Sequence, residues 1–442
     1  MAGRFASALS RAVRTSRADD VPLLLAGAEK AGERWKDVAA ESLKAAAESV
    51  DFSGGRNIHG VLSIIAAARL CEHLPYEDGA LPLGQALHYA AAQPKWVKPP
   101  RWLEPGSEDD AEQLNLASAI AITYAREDPA LVEEAVRAFV HQASHFGGNW
   151  GHALIFATMT YDAGTLLGWE YAAPLFAVGI ENILPANRDE VAHEAVWGRF
   201  EKGHFDFTAL SKAPPSWEGG ERLGELRKAL RRPSFDEAAA AVGKAIEEGV
   251  SIEVLCEALT LAGADKMLRT AYGMSAAHAL TFAHAVRRAV EIQRDGCTIG
   301  AIAVAAAFMG QQLEVYDRRA EGARAGRSKI AAPSPAEFAR LLREGPVGEA
   351  VEAAQAISQE GLTQNHDFVR AAVRAASTDD LMLSLGISLK HTEAALEEDR
   401  RSRSEDKAAF LMAVAKNLAA GERGTAFFEK VRKAREERVR AA

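Results

Sequence analysis

His141, His145 and His152 flank a Gly147-Gly148 break in the stretch HQASHFGGNWGHALIFATMTYDAGTLLG, which runs from His141 to Gly168. His141 and His145 are four residues apart, so on a helix they share one face and can bind a metal or a substrate together. Gly147 and Gly148 release that helix. Asn149 is the expected N-cap of the next one, which carries His152 in its first turn. Two helix ends therefore meet with imidazoles on both sides.

The pattern around His152 repeats weakly. NIHGVLSI from Asn57, WGHALIFA from Trp150 and AAHALTFA from Ala276 each place a histidine before a small residue and a run of aliphatics. His59, His152 and His278 all fall in a first helical turn, so parallel helices in an array would bring them to one cavity. The positive end of the dipole disfavours their charged forms there, and neutral imidazoles suit metal ligation or general-base work. A looser fourth copy, LKHTEAAL around His391, sits mid-helix. His284 lies six residues beyond His278 and points to a different neighbour. The metal-ligating candidates are His59, His141, His145, His152, His278 and His284. The blander reading of any one of them is a packed core or capping histidine. Trp150, Phe156 and Tyr161 lie beside the junction and are expected to contact a substrate, since organic ligands occupy apolar pockets with a few polar groups.

Familiar catalytic patterns are missing. His141-x-x-x-His145 has Gln142 where an H-E-x-x-H zinc hydrolase has Glu, and Glu190-Val-Ala-His193 is one E-x-x-H unit where a di-iron bundle needs two. There is no P-loop, G-x-G-x-x-G, G-x-S-x-G or kinase signature.

The elements that must position these residues are helices. Alanine-rich segments with apolar residues three and four apart recur from Val21 onward, and β-branched alternation is nearly absent, so the fold class is all-α, an array or bundle of about twenty helices. Helices are expected at 58–73, 111–126, 129–145, 152–167, 188–202, 276–293 and 379–399, among others. Residues 93–106, with four prolines and two tryptophans, should form a structured loop. KAPPSWEGG at 212–220 and the Gly- and Pro-bearing 322–335 divide the chain at 1–215, 216–325 and 326–442. The first part carries the histidine junction, and the second completes its cavity.

The chain has 442 residues, 48% of them hydrophobic, and a formal net charge of −9, which argues against nucleic acid as a partner. No apolar run is long enough to span a bilayer. Cys71, Cys256 and Cys297 are far apart, which suits a reducing compartment, excludes a cysteine-based zinc site and points to the cytoplasm. The Arg- and Ser-rich first 18 residues have the look of an organellar presequence but read more simply as a basic helix. EKVRKAREERVRAA at the C-terminus reads as a solvated helix or a homodimer contact.

Two stretches, GGNWGHALIFATMTYDAGTLLGWEYAAPLF and GVSIEVLCEALTLAGADKMLRTAYGMSAAHALTFAHAVRRAVE, resemble a group of bacterial all-helical proteins with G-H-x-A-I-F and H-A-x-T motifs, some joined to Rieske iron–sulfur domains. The pattern is similar, more distantly, to questin oxidase-like proteins, which open quinone rings by a Baeyer–Villiger-like oxygenation. The resemblance covers residues 50–320. It implies an oxidoreductase, an oxygenase acting on an aromatic or polyketide-like small molecule, with His152, His59 and His278 as catalytic residues. No cysteine here lies in a Rieske arrangement, so an electron-transfer partner is expected to be a separate protein. Iron or another transition metal would be the cofactor, or an imidazole would deprotonate a phenol with no cofactor. The alternative is a non-catalytic helical scaffold or small-molecule-binding protein.

Overall fold

A computed structural model of the chain describes residues 3–98, 128–187, 196–198, 207–231, 235–270, 274–316, 328, 330–378 and 385–421, with residues 430, 433, 434 and 436 of the last stretch. Twenty α-helical segments and no strand occur among the described residues. The helix expected at 111–126, the E-x-x-H unit at 190–193 and most of the loop at 93–106 lie outside them. So do half of the segment at 322–335 and most of the C-terminal stretch.

The N-terminal helices are α1 (Arg4–Arg14), α2 (Val21–Lys30), α3 (Trp35–Ser49), α4 (His59–Cys71) and α5 (Tyr76–Ala92). After them come α6 (Pro129–Ala143), α7 (Gly148–Leu167) and α8 (Trp169–Val178). Two short segments, Leu184–Ala186 and Phe207–Lys212, precede α9 (Leu223–Leu230), α10 (Phe235–Glu247), α11 (Ile252–Arg269), α12 (Met274–Ile292) and α13 (Gly296–Tyr316). The chain continues with α14 (Pro335–Glu344), α15 (Val347–Gln359), α16 (His366–Ala376), α17 (Ile387–Arg401) and α18 (Ala408–Ala420). No helix among the described residues is long and apolar enough to cross a membrane.

Local chemistry starts several of these helices. Pro129 opens α6 behind Asp128, whose side chain accepts from the Ala130 amide at 2.9 Å. Ser334 caps α14 in the same way. Alanine abundance then sets the packing, because small side chains let helix axes approach closely. At Gly263 of α11, a Cβ would stand 2.9 Å from the Ala279 carbonyl oxygen and the Leu280 Cα of α12, so that crossing requires glycine.

One continuous core runs from Ala6 to Leu418. Within it α4 packs on α7, α7 on α12, α12 on α17, and α17 back on α4. These four helices close a box, the arrangement in which helical proteins build sites from inward-facing side chains. Each wall brings one of the repeat-like segments: His59 on α4, His152 on α7, His278 on α12 and the LKHTEAAL segment on α17.

Candidate functional site

The path into α7 is strained where a cap was expected. Asn149, Trp150 and Gly151 all have left-handed φ values, of 47°, 63° and 75°. Asn149 therefore does not cap the helix; the Gly147-Gly148 break is followed by a left-handed turn of three residues before regular helix begins. That turn lays the Trp150 ring 5.0 Å from the His278 ring and delivers His152 into the box. A Cβ at Gly151 would meet the Phe282 ring at 2.3 Å, so the position needs glycine for space as well as for φ.

His59, His152 and His278 come together as the repeat implied. The His152 and His278 rings lie 4.8 Å apart with Nε2 to Nε2 at 2.9 Å, and the His59 ring is 5.0 Å from His152 and 6.1 Å from His278. His59 Nδ1 lies 2.6 Å from Lys390 Nζ. His152 Nδ1 is buried with no hydrogen-bond partner. An unpaired acceptor costs less than an unpaired N–H, so hydrogen bonding assigns the His152 proton to Nε2, which donates to His278 and leaves a lone pair on Nδ1.

Charge is excluded from this cluster. Burial, then the neighbouring His278 and Lys390, holds the His152 pKa well below the usual imidazole value. The same holds at His59, where packing comes first and Lys390 second, although part of its surface stays accessible. Burial lowers the Lys390 amine to about 7. His59 and His152 are thus neutral at neutral pH, and Lys390 sits at the midpoint between its charged and neutral forms.

His152, His278 and Lys390 line a cavity of about 30 Å³. Its other pole is ionic. Asp162 on α7 accepts from Arg69 Nη1 at 2.6 Å and from Arg288 on α12, and Arg69 Nε reaches Glu393 on α17 at 3.0 Å. Burial opposes ionisation of Asp162, but the two guanidiniums hold its carboxyl below the usual range. His284 lines the same cavity and bonds through Nδ1 to Glu398 Oε1 at 2.7 Å, a different neighbour from that of His278. Arg69 and Glu393 also line a larger outer cleft of about 370 Å³. The Arg69–Glu393 pair is the wall common to both spaces.

Two of the expected substrate contacts lie elsewhere. Residues 152, 155, 158, 159 and 162 form the cavity stripe of α7. At ~100° per residue Phe156 falls beyond the edge of that stripe, and it packs on Phe139 at 6.4 Å. Tyr161 faces the opposite way, with its hydroxyl 2.6 Å from Arg137 Nη2. Trp150 does adjoin the cluster through His278.

His141 and His145 do not join the His152 cluster. With Cys297 they form a second centre whose ligand atoms all lie within 4.8 Å of one another. It is the one such group of three or more among the described residues. His59, His152 and His278, expected to ligate a metal together, do not make up such a group. Spacing along the chain set the cysteines aside as metal ligands, yet the fold brings Cys297 from another helix to two histidines, in a group that could hold an ion.

Lys390, Asp162, Arg69 and Cys297 escaped sequence reading. A signal existed for two of them. Lys390 precedes His391 in the fourth repeat-like segment, and Asp162 is the lone acid of an apolar helix. The chain matches no family model, no curated protein and no solved structure.

Proposed function

We propose that the four-helix box is the active site of an oxidoreductase of the oxygenase class, in which a buried neutral base deprotonates a phenolic small molecule so that the anion reacts with dioxygen. The observation that carries the reading is the run Lys390, His59, His152 and His278, half-buried at His59 and buried elsewhere, with contacts of 2.6 Å at one end and 2.9 Å at the other. A base must be unprotonated at working pH to accept a proton, and burial keeps His152 in that form.

The substrate O–H proton passes to the His152 Nδ1 lone pair, and the Nε2 proton moves to His278. The phenolate, through a ring carbon, gives an electron pair to dioxygen, and the proton returns to the peroxide so formed. Substrate and dioxygen thereby combine one to one, and no outside reductant enters this step. The sizes of the two spaces support the division of labour. About 30 Å³ suits water or dioxygen, whereas about 370 Å³ is within the range for an organic ligand. Met159, unbranched and adaptable, lines the inner cavity on its partly exposed side, where a ring could press in.

A panel of hydroxylated aromatics tests this in two readouts. Binding at pH 7 should shift the absorption of the phenol to that of its phenolate, and oxygen uptake should follow. His152→Ala should reduce uptake on the order of a hundredfold or more. Binding with neither phenolate formation nor uptake would leave a small-molecule-binding protein in place of an enzyme.

A further inference from the structure

The centre at His141, His145 and Cys297 stands apart from the box and has its own chemistry. His141 lies in the last turn of α6 and His145 just beyond it, so the i, i+4 spacing places both imidazoles on one side, with ring centroids 5.7 Å apart. Cys297 is the second residue of α13, and its Sγ is 3.5 Å from His141 Nε2.

Two surrounding features prepare these side chains. Asp295 Oδ1 accepts from the Thr298 amide at 2.9 Å, and Oδ2 accepts from Gln293 at 2.8 Å and meets His141 Nδ1 at 2.7 Å. A carboxylate only accepts, so the His141 proton is on Nδ1 and the Nε2 lone pair faces the sulfur. A carboxylate behind the distal nitrogen of an imidazole is the usual outer support of a metal-bound histidine. On the other side the Trp197 ring lies 5.2 Å from the His145 ring and fills the space above Gly300, where a Cβ would meet it at 2.1 Å.

We propose that His141, His145 and Cys297 bind a zinc-class divalent cation through two imidazole nitrogens and one thiolate, leaving one coordination position for water or an outside ligand. Sulfur and imidazole together select zinc over magnesium or calcium, which take oxygen. The 3.5 Å between Cys297 Sγ and His141 Nε2 agrees: tetrahedral zinc with ordinary Zn–S and Zn–N bonds sets its S and N ligands about 3.5 Å apart. A nucleophile and base pair would need His141 alone, whereas here a second imidazole converges on the same point. Binding releases the Cys297 proton to solvent and ties the end of α6 to the start of α13. It thereby fixes His145, the residue from which the 146–151 passage to His152 departs.

The test uses the full chain stripped by chelator. Cobalt(II), as a spectroscopic stand-in for zinc, should bind one to one and give a thiolate-to-metal charge-transfer band that zinc displaces. Cys297→Ser should abolish the band, and Asp295→Asn should weaken zinc binding by roughly 10- to 100-fold. If the variants do not fold, peptide-mapped alkylation of Cys297 in the unaltered protein decides, since bound zinc should slow it at least tenfold. Failure to bind cobalt or zinc stoichiometrically in the folded protein, a charge-transfer band that survives Cys297→Ser, or alkylation that zinc leaves unchanged would each overturn the proposal. Phenol binding at His152 is a separate readout, so either idea can fail alone.

Discussion

An ammonium group at Lys390 meets His59 Nδ1 at 2.6 Å and the Leu385 carbonyl at 3.3 Å, with no carboxylate among its recorded partners. Its folded pKa of about 7, against 10.5 for the free side chain, fixes the sign of a stability change with pH. Below pH 7 the amine is charged in both states and the folded protein bears the full cost of burying it. Between 7 and 10.5 the unfolded chain holds a proton that the folded one lacks, so stability rises with pH by an amount on the order of a few kcal/mol. Lys390→Met should remove that rise and stabilise the protein below pH 7. Urea midpoints at pH 6.5 and 9.5 measure it, and an unchanged slope in the variant would count against the assignment. His59 and His152 act on the acid side. Both are held neutral in the folded protein, so stability should fall as pH drops through 6.5 and the unfolded imidazoles take up protons. A His152→Phe variant tested between pH 5 and 7 should show a shallower fall. The sequence pointed to His59 and His152, with His278, through a shared first-turn position. It did not point to Lys390, because a lysine on a helix is ordinarily a solvated side chain and nothing in LKHTEAAL marks this one as buried; His391 is buried with both ring nitrogens unpartnered and does not line the cavity.

At the scale of elements, the passage from α6 to α7 separates what pattern can and cannot tell. Apolar spacing and the glycine pair mark two helices and a break, and both are present. The left-handed run through Asn149, Trp150 and Gly151 was not legible, since only Asn and Gly advertise that conformation and Trp150 does not. Gly151→Ala should therefore cost at least 2 kcal/mol, from the positive φ and the collision with Phe282. Asn149→Gly should be neutral or gain up to ~1 kcal/mol, because glycine adopts the same φ freely. Chemical denaturation of the two variants tests the contrast; equal losses would mean that the turn carries no strain. The same reasoning explains the displaced substrate contacts. Phe156 and Tyr161 are near His152 in sequence, yet helical phase decides which side chains face the cavity.

For the whole molecule, the all-α class follows from periodicity alone, but the closing of the box does not. It depends on α17 reaching back to α4 across more than 300 residues, a contact that no local pattern encodes. The ion pairs that accompany this closure share Asp162, which binds Arg69 of α4 and Arg288 of α12 from its place on α7. Asp162→Asn leaves two largely buried guanidiniums short of a counter-charge and should destabilise the protein by roughly 3–5 kcal/mol. Replacing Arg69 and Asp162 together by Met and Asn should cost less than the sum of the single changes, which a double-mutant cycle in thermal unfolding will read.

The wall that Arg69 and Glu393 form between the two spaces also sets a condition on traffic. A guest moving inward from the outer cleft would part a cation from an anion, and salt weakens that attachment where water reaches it. Raising ionic strength should then speed the arrival of a neutral guest, and an anionic guest should be favoured because it can take the place of Glu393 on the guanidinium. Passage would be governed by an exchange of partners, with the doorway and the first handhold being the same residue.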